Sequence, residues 1–572
     1  MEAEYDRPKS RLRDESLGIG VTSVTVLPME IRRPLAGTQR VLGCACVVTV
    51  PNGYPDGIAA RLRKAVMVGL FALPLVLGVV FRTMESSLWF RLLPRVMAVM
   101  FLIIGLASIR NPKWMLPGFI AVCGPLQAYS LMFSRQVSGY PVGPFSLAIW
   151  GMAILWLIRG QRGCQCDYYR TSARVVAALW LLIVTSGLVA LFQEPGADGD
   201  PMVTTIVLVR GGLEALILYL LARAWIRAYG DLEVLVWALC LSAMLALVVG
   251  LTAYSWAATA KDVQDSSSWR FSMLAYGGAN CSGFILVIIY PLVLMLHDTR
   301  REATGPVLAL ASIIWALGLA SLPRATPIVL EVETLICCYC FWRKKVAMSL
   351  LGLIPCAALV SLPWLPEHRL AQWLERWRST DLIGLATGKA ESIDRSDSWR
   401  FHMQEMLWHE AQQRPFGGLA ATGITDPEDI YLDTAVQLGW GSAAALVGIE
   451  LVLLSTALKR ASAHRRGEDP DGAAVFSAVV GQAVYTLFAG INLAKVAADQ
   501  AIEAAFVVNS MPAAMFAVLQ AICLTRPSRV RPAQAHAAHP EAEPPHDAAL
   551  GSVHPGVGPD LGPAVRGASG PR

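Results

Sequence analysis

Long apolar runs separated by short polar stretches make up most of this chain. A helix needs about 20 apolar residues to cross the roughly 30 Å of hydrocarbon in a bilayer. Helices and closed barrels are the structures that satisfy the backbone polar groups in that medium. The pattern therefore predicts an all-α polytopic membrane protein with about fourteen membrane-spanning helices. The predicted spans are 65–81, 93–109, 114–133, 142–158, 174–192, 203–226, 232–257, 278–297, 305–322, 325–342, 346–364, 433–458, 473–493 and 502–524.

The predicted spans also define the domain organisation. Residues 1–63 form a cytoplasmic N-terminal arm, and residues 64–364 form a transmembrane bundle of about eleven helices. The polar stretch 365–432 forms one large helical extracytoplasmic loop, and residues 433–525 supply about three C-terminal transmembrane helices. Residues 526–572 are rich in Pro, Ala, His and Gly and contain few large hydrophobic residues. Such a segment cannot offset its ordering entropy by burial, so we predict a disordered cytoplasmic tail.

The composition excludes a single water-soluble core. Hydrophobic residues make up 55% and charged residues 16% of the 572 positions, which leaves too much apolar surface for such a core to hide. Most of the 12 cysteines fall inside predicted spans, where cysteine behaves as a small hydrophobic residue. We predict no metal, no cofactor and no nucleic-acid partner.

The orientation of the bundle follows from the basic residues of the short loops. Arg162, Arg301, Lys344 and Arg465 belong to loops on one side, whereas the opposite loop, 193–201, contains acidic residues and no base. We therefore expect both termini in the cytoplasm and the loop 365–432 outside it.

The outer loop contains an amphipathic helical pattern over residues 398–413. Phe401, Leu407 and Ala411 fall near one helical face, and polar residues fall elsewhere. Pro415 is expected to end this helix, and the glycines at 417 and 418 permit a tight turn after it. The pattern fits a helix on the membrane surface or at the mouth of the bundle, and equally a lid helix of structural value only.

The spacing of residues in this loop carries a family resemblance. Arg400 lies fifteen residues before Pro415-Phe416-Gly417-Gly418, and Tyr431-Leu432 is followed by Gly439 seven residues after the leucine. This frame resembles the O-antigen ligase and Wzy-type O-antigen polymerase superfamily, whose fold is related to the GT-C class. The family has His-Asn-x-Tyr-Leu at the second position, whereas this chain has Glu428 and Asp429 in place of His-Asn. The chain is thus similar to a divergent member that lacks the outer-loop histidine.

Arginines near the outer ends of predicted spans are candidate ligands for an anion. Arg270 precedes Phe271-Ser272 and is followed by Asn280, in partial resemblance to the family's Arg-x-Ser-Gly and Asn-Pro-Asn segments. Arg324 lies before a helix N-terminus, which adds a favourable dipole. Arg210 lies inside a span with Glu214 four residues later. An Arg210–Glu214 ion pair and an Arg270 that only snorkels to the headgroups are the structural alternatives.

The resemblance implies the ligand of these arginines. With Arg400, the residues Arg210, Arg270 and Arg324 are expected to bind the pyrophosphate of an undecaprenyl-pyrophosphate-linked glycan, because guanidinium groups pair with phosphate oxygens in bidentate fashion.

Catalysis requires a base for the acceptor hydroxyl in addition to the pyrophosphate site. Glu428 and Asp429 occupy the family's catalytic position and are our candidate bases. His402, His409, Asn280 and Tyr431 are secondary candidates.

The expected function is therefore a membrane glycosyltransferase in the bacterial inner membrane. It would polymerise or transfer lipid-linked oligosaccharide units on the periplasmic face, in the biosynthesis of O-antigen or another surface polysaccharide. The expected partners are the lipid-linked glycan, a glycan acceptor, the bilayer and, as a candidate, a polysaccharide chain-length regulator. The alternatives are an O-antigen ligase acting on lipid A core, a transporter for lipid-linked sugars or anions, and a non-catalytic assembly or scaffolding relative, the last suggested by the missing histidine.

Two carboxylates inside the predicted span 325–342 have no place in this scheme. Glu331 and Glu333 need partners or protonation within a membrane helix, and the sequence assigns them no role.

Overall fold

The computed structural model describes the helical core of the chain in separate stretches. They are residues 103–122, 135–137, 140–142, 144–159, 168–193, 201–259, 279–300, 304–320, 325–341, 395–417, 430–488 and 514–526, with 65 and 99 as isolated positions. The predicted arm 1–63, the tail beyond residue 526 and the span 346–364 lie outside the described residues.

Helices account for nearly all of the described residues, which confirms the predicted helical class. A 3₁₀ turn, Pro112–Trp114, lies between helical residues 103–110 and 115–122. A small hairpin pairs β1 (Arg135–Val137) with β2 (Tyr140–Val142) in antiparallel register. The longer helices are α1 Pro144–Arg159, α2 Arg170–Gln193, α3 Pro201–Tyr229, α4 Leu232–Thr259, α5 Ala279–Arg300, α6 Thr304–Ala320, α7 Ala325–Phe341, α8 Arg395–Gln413, α9 Ile430–Leu438, α10 Trp440–Arg465 and α11 Gly472–Phe488.

Among the described residues, two stretches are long and apolar enough to cross a membrane, judged by length and composition: Arg170–Val189 in α2 and the whole of α10. Shorter apolar helical segments occur in several other helices, among them Gly472–Leu487 and a last one, Ala514–Leu524. The number of about fourteen spans stays a prediction.

One predicted span is divided in the structure. Residues 433–458 were expected to form one continuous helix, but α9 ends at Leu438 and α10 begins at Trp440. Gly439 between them has a φ of 86°, which an α-helix cannot accommodate. The break separates a short helix belonging to the loop from the long apolar helix that follows.

Helix α11 lies at the centre of the helices that form the candidate site described below. It packs against α5, α7 and α10, while α10 also packs against α2 and α9. The buried side chains between these helices are mainly Leu, Ile, Val and Ala, with Phe284, Tyr290 and Tyr485 among the largest. A few buried polar side chains interrupt this apolar core, and they define the candidate site.

A buried arginine joins α10 to the turn that precedes α11 and to the last described helix. Arg460 is fully buried and donates to both carboxylate oxygens of Asp469, at 2.8 and 3.3 Å. Its Nη1 also donates to the carbonyl oxygen of Ile522, at the C-terminal end of Ala514–Leu524. A guanidinium at this point satisfies carbonyl groups that a helix end leaves without partners.

Candidate functional site

The outer-loop helix α8 packs its apolar face on α9 and the start of α10. Leu407 and Ala411 are buried and form a small apolar cluster with Ala435, Val436 and Ala443. Both buried residues of α8 belong to the face predicted from the sequence; the side chain of Phe401 lies outside the described residues. The helix ends at Gln413, just before Arg414-Pro415, as predicted.

The turn after α8 is joined to the break between α9 and α10. The carbonyl oxygen of Pro415 accepts a hydrogen bond from the backbone N–H of Trp440 at 3.1 Å. Gly417 and Gly439 both have positive φ, 85° and 86°. A Cβ on Gly417 would lie 2.6 Å from the backbone nitrogen of Gly439, so neither the conformation nor the space admits a side chain. We call Pro415, Gly417, Gly439 and Trp440 the cap clasp.

The Trp440 side chain strengthens the cap clasp. Its Nε1–H donates to the carbonyl oxygen of Ala411 at 2.9 Å, and its ring meets Trp408 edge-on with centroids 5.3 Å apart. The turn that begins at Pro415 is therefore in direct contact with Gly439, the glycine after Tyr-Leu; the glycine of Pro-x-x-Gly itself, Gly418, lies outside the described residues.

A buried carboxylate lies on α10 behind the first turn of α9. Glu450 is only 8% exposed and accepts a short hydrogen bond from the Tyr431 hydroxyl. Gln482 Nε2 and Thr486 Oγ1, both on α11, donate to its other oxygen at 3.2 and 3.3 Å. We call Tyr431, Glu450, Gln482 and Thr486 the Glu450 network. It ties α9 to the two helices behind it.

A second carboxylate, Glu333 of α7, lies against the same helix α11. Its side chain is fully buried, and neither of its oxygens has a hydrogen-bond partner among the described residues. The carboxyl group contacts the position that a Cβ on Gly481 would occupy. Ser477 lies one turn earlier on α11 and donates to the Glu333 main-chain carbonyl at 3.3 Å, not to the side chain.

The structure tests few of the predicted ligand residues. Glu428, Asp429, Arg270 and Arg324 lie outside the described residues. The backbones of Arg210, Asn280 and Arg400 are described, in α3, α5 and α8 respectively, but their side chains are not. Convergence of the arginines on one anion therefore stays a prediction.

Glu214, the proposed ionic partner of Arg210, is described. It is 4% exposed on α3 and accepts a hydrogen bond from Trp150 Nε1 at 3.3 Å. The carboxylate thus has a partner on α1, whatever the position of Arg210.

The secondary candidates differ in their environment. His402 and His409 are both exposed on α8, as expected for seven-residue spacing on the outer face of a helix. Tyr431 is half-buried with its hydroxyl directed at Glu450. Of these candidates, Tyr431 alone has a described polar contact that links it to the bundle.

The sequence interpretation missed Glu450 and its partners Gln482 and Thr486. A lone carboxylate within an apolar span is itself an indication of function, and Glu450 met that criterion as well as Glu214 did. Within the stretches described here, no three His, Cys, Asp or Glu side chains are grouped so as to hold a metal ion.

Comparison with known proteins adds no relative: no protein-family model matches this chain, and neither does any curated protein.

Proposed function

We propose that this chain is a multi-pass membrane glycosyltransferase that polymerises or transfers undecaprenyl-pyrophosphate-linked oligosaccharide units at the periplasmic face of a bacterial inner membrane. The observation that carries the proposal is the cap clasp. It joins Pro415 and Gly439, two positions of the spacing by which the outer loop resembles the O-antigen polymerase and ligase superfamily, at one backbone contact that requires a glycine at 439.

The exposed surfaces of the long helices support a membrane location. On α2, Val175, Leu181 and Leu188 are exposed, and on α10 Val447 and Leu451 are exposed. A soluble protein would place polar residues at such positions, whereas hydrocarbon favours apolar ones. These two helices therefore have the surface expected of membrane spans, and the multi-pass arrangement of about fourteen helices is part of the proposal.

The Glu450 network supports a catalytic role for the outer loop. Asp429 immediately precedes α9, and Tyr431 in the first turn of α9 is bound to Glu450. Fixing Tyr431 restrains the start of α9, and with it the chain position of Glu428 and Asp429. A catalytic group must be held within a fraction of an ångström of its working position, and a buried hydrogen-bonded support provides that restraint.

The proposed reaction is a displacement at the anomeric carbon of the donor sugar. The acceptor hydroxyl oxygen forms the new bond, the bond to the pyrophosphate oxygen breaks, and the hydroxyl proton passes to Glu428 or Asp429. Arg210, Arg270, Arg324 and Arg400 bind the departing undecaprenyl pyrophosphate and stabilise its charge.

The test uses purified protein in liposomes that contain an undecaprenyl-pyrophosphate oligosaccharide. Chain extension identifies a polymerase, and transfer to added lipid A core identifies a ligase. Movement of intact donor across the liposome membrane without any new glycosidic bond identifies a transporter and refutes the proposal. For an active protein, Arg400→Ala and the double variant Glu428→Gln/Asp429→Asn are expected to abolish product.

The contribution of the cap clasp is tested separately by Gly439→Ala. The variant must shift the backbone near Phe416, so we expect strong loss of product from protein that still inserts into the membrane. Gly441→Ala is the matched control, because its Cβ would meet only Ser186 Oγ at 3.5 Å, an ordinary contact. Equal activity of the two variants would refute the proposed role of the clasp.

A further inference from the structure

Glu333 is the described residue whose state the proposed reaction leaves unexplained. Both of its side-chain oxygens are buried and lack partners among the described residues, and the helices around it are apolar. An ionised carboxylate in such a place loses its hydration without any compensating contact, which is among the most costly arrangements in a protein interior. A neutral carboxylic acid in the same place loses far less.

Among the described residues, no positively charged side chain pairs with Glu333. Tyr290 of α5 and Cys337 of α7 itself are the described titratable side chains on which the charge of an ionised Glu333 would act. The Tyr290 hydroxyl is already engaged with Thr334 Oγ1 at 2.8 Å. From α11, Ser477 donates to the backbone of Glu333, and Gly481 contributes no side chain. The other acid of the helix, Glu331, lies on the exposed face.

We infer that Glu333 is a proton-binding site, at which one exchangeable proton is held on a carboxyl group between α7 and α11. The ligand is a proton, and the site consists of the Glu333 carboxyl group in the space left by Gly481. Release of the proton would leave an unpaired charge against α11, so release requires water or a cation to enter between the two helices.

Glu450 is a second buried acid in the same bundle, with which Glu333 can be compared. It is also buried, but three side-chain donors surround its oxygens. Such donors make the ionised form of Glu450 less costly than that of Glu333, which has none among the described residues. A reagent that distinguishes a carboxylic acid from a carboxylate should therefore distinguish Glu333 from Glu450.

The experiment treats the full-length protein in liposomes with dicyclohexylcarbodiimide, an apolar reagent. A carboxylic acid transfers its proton to a carbodiimide nitrogen while its oxygen adds to the central carbon; the acyl group then migrates to nitrogen and leaves a stable acylurea. Glu331→Gln serves as the background, so that the neighbouring exposed acid cannot react. The modified residue is located by fragmentation mass spectrometry.

We expect Glu333 to be labelled much more than Glu450, and all labelling at this helix to be lost in Glu331→Gln/Glu333→Gln. Labelling should decrease as the buffer is made alkaline, because proton release removes the reactive form. Absence of label at Glu333 in mildly acidic buffer, or label at Glu450 to the same extent, overturns the inference.

A second measurement shows whether the proton exchanges. In the infrared difference spectrum between the background protein and the Glu333→Gln variant, the carboxylic acid carbonyl band should shift when the liposomes are moved into deuterated water. A band that does not shift, or no band, contradicts an exchangeable proton. Neither measurement depends on glycosyl transfer, so this site and the proposed function can fail independently.

Discussion

Two buried carboxylates face consecutive residues of one helix and have opposite environments. Glu450 meets Gln482, which donates a hydrogen bond to it, whereas Glu333 meets Gly481, which offers only space. The two residues are buried to nearly the same extent, since Glu450 is 8% exposed and Glu333 is 0% exposed. Burial alone therefore does not describe the environment of an acid in a helical bundle; the donors within reach separate a carboxyl group held in a network from one without a described partner.

The first test of this comparison replaces Glu450, the acid that has hydrogen-bond donors, by an apolar residue. Glu450→Leu leaves the Tyr431 hydroxyl and the Gln482 amide without this acceptor, so we expect a loss of roughly 3 kcal/mol in the free energy of unfolding. Chemical unfolding in detergent micelles measures it. Glu331→Leu, at an exposed position of α7, is the control and should change stability by less than about 0.5 kcal/mol. Equal effects of the two variants would mean that the Glu450 network has no stabilising role.

The second way is to fill the space beside Glu333. Gly481→Ala places a Cβ on the Glu333 carboxyl group, and we expect a loss of about 2 kcal/mol from this overpacking. Gly151→Ala is the matched helical control, since its Cβ would meet nothing within 4 Å. That control should gain up to about 1 kcal/mol from helix propensity. If Glu333→Ala does not relieve the Gly481→Ala defect in the double variant, the contact is not the cause.

The third variant removes the Tyr431 hydroxyl, one of the donors to Glu450, and keeps the aromatic ring. Tyr431→Phe deletes the hydroxyl that donates to Glu450, with an expected loss of about 1.5 kcal/mol, the range for a hydrogen bond to a charged group. Protease cleavage within residues 418–429 should also become faster as α9 loosens. Tyr339→Phe is the control, because that side chain is 67% exposed and its ring contact with Arg465 is kept. A Tyr431→Phe variant as stable as its control would show that the hydroxyl contributes nothing.

The smallest effect on stability is expected for replacement of Glu333 itself. Glu333→Leu replaces a partnerless buried polar group by an apolar one of similar size, so stability should stay the same or rise by about 1 kcal/mol. The unfolding midpoint in the same micelles measures this. A loss of more than about 2 kcal/mol would reveal a strong native interaction of the carboxyl group that the described contacts do not contain.

Local patterns explain why much of the outer loop could be predicted. The spacing of Leu407 and Ala411 indicated the buried face of α8, and Pro415 indicated its end. The break at Gly439 was missed, because a glycine within an apolar run is compatible with a helix until its neighbour across the fold is known. That neighbour, Gly417, is distant in sequence, and only the folded backbone brings the pair together.

The buried acids show a second limit of sequence interpretation. Glu333 could be identified as an acid in need of a partner or a proton, since that conclusion requires only its place in an apolar helix. The support of Glu450 could not be identified, because Tyr431 and Gln482 come from separate helices. Spacing along one helix predicts faces, but it does not predict which faces of different helices meet.

The contact between Gly417 and Gly439 also has an evolutionary consequence. Because backbone atoms hold the two ends of the intervening segment, the entropy of closing that loop depends little on which residues lie at 418–429. Replacement of the stretch 418–429 by an unrelated sequence of the same length is therefore expected to leave the helices beneath it as they are, so this part of the loop is free to diverge without loss of the fold.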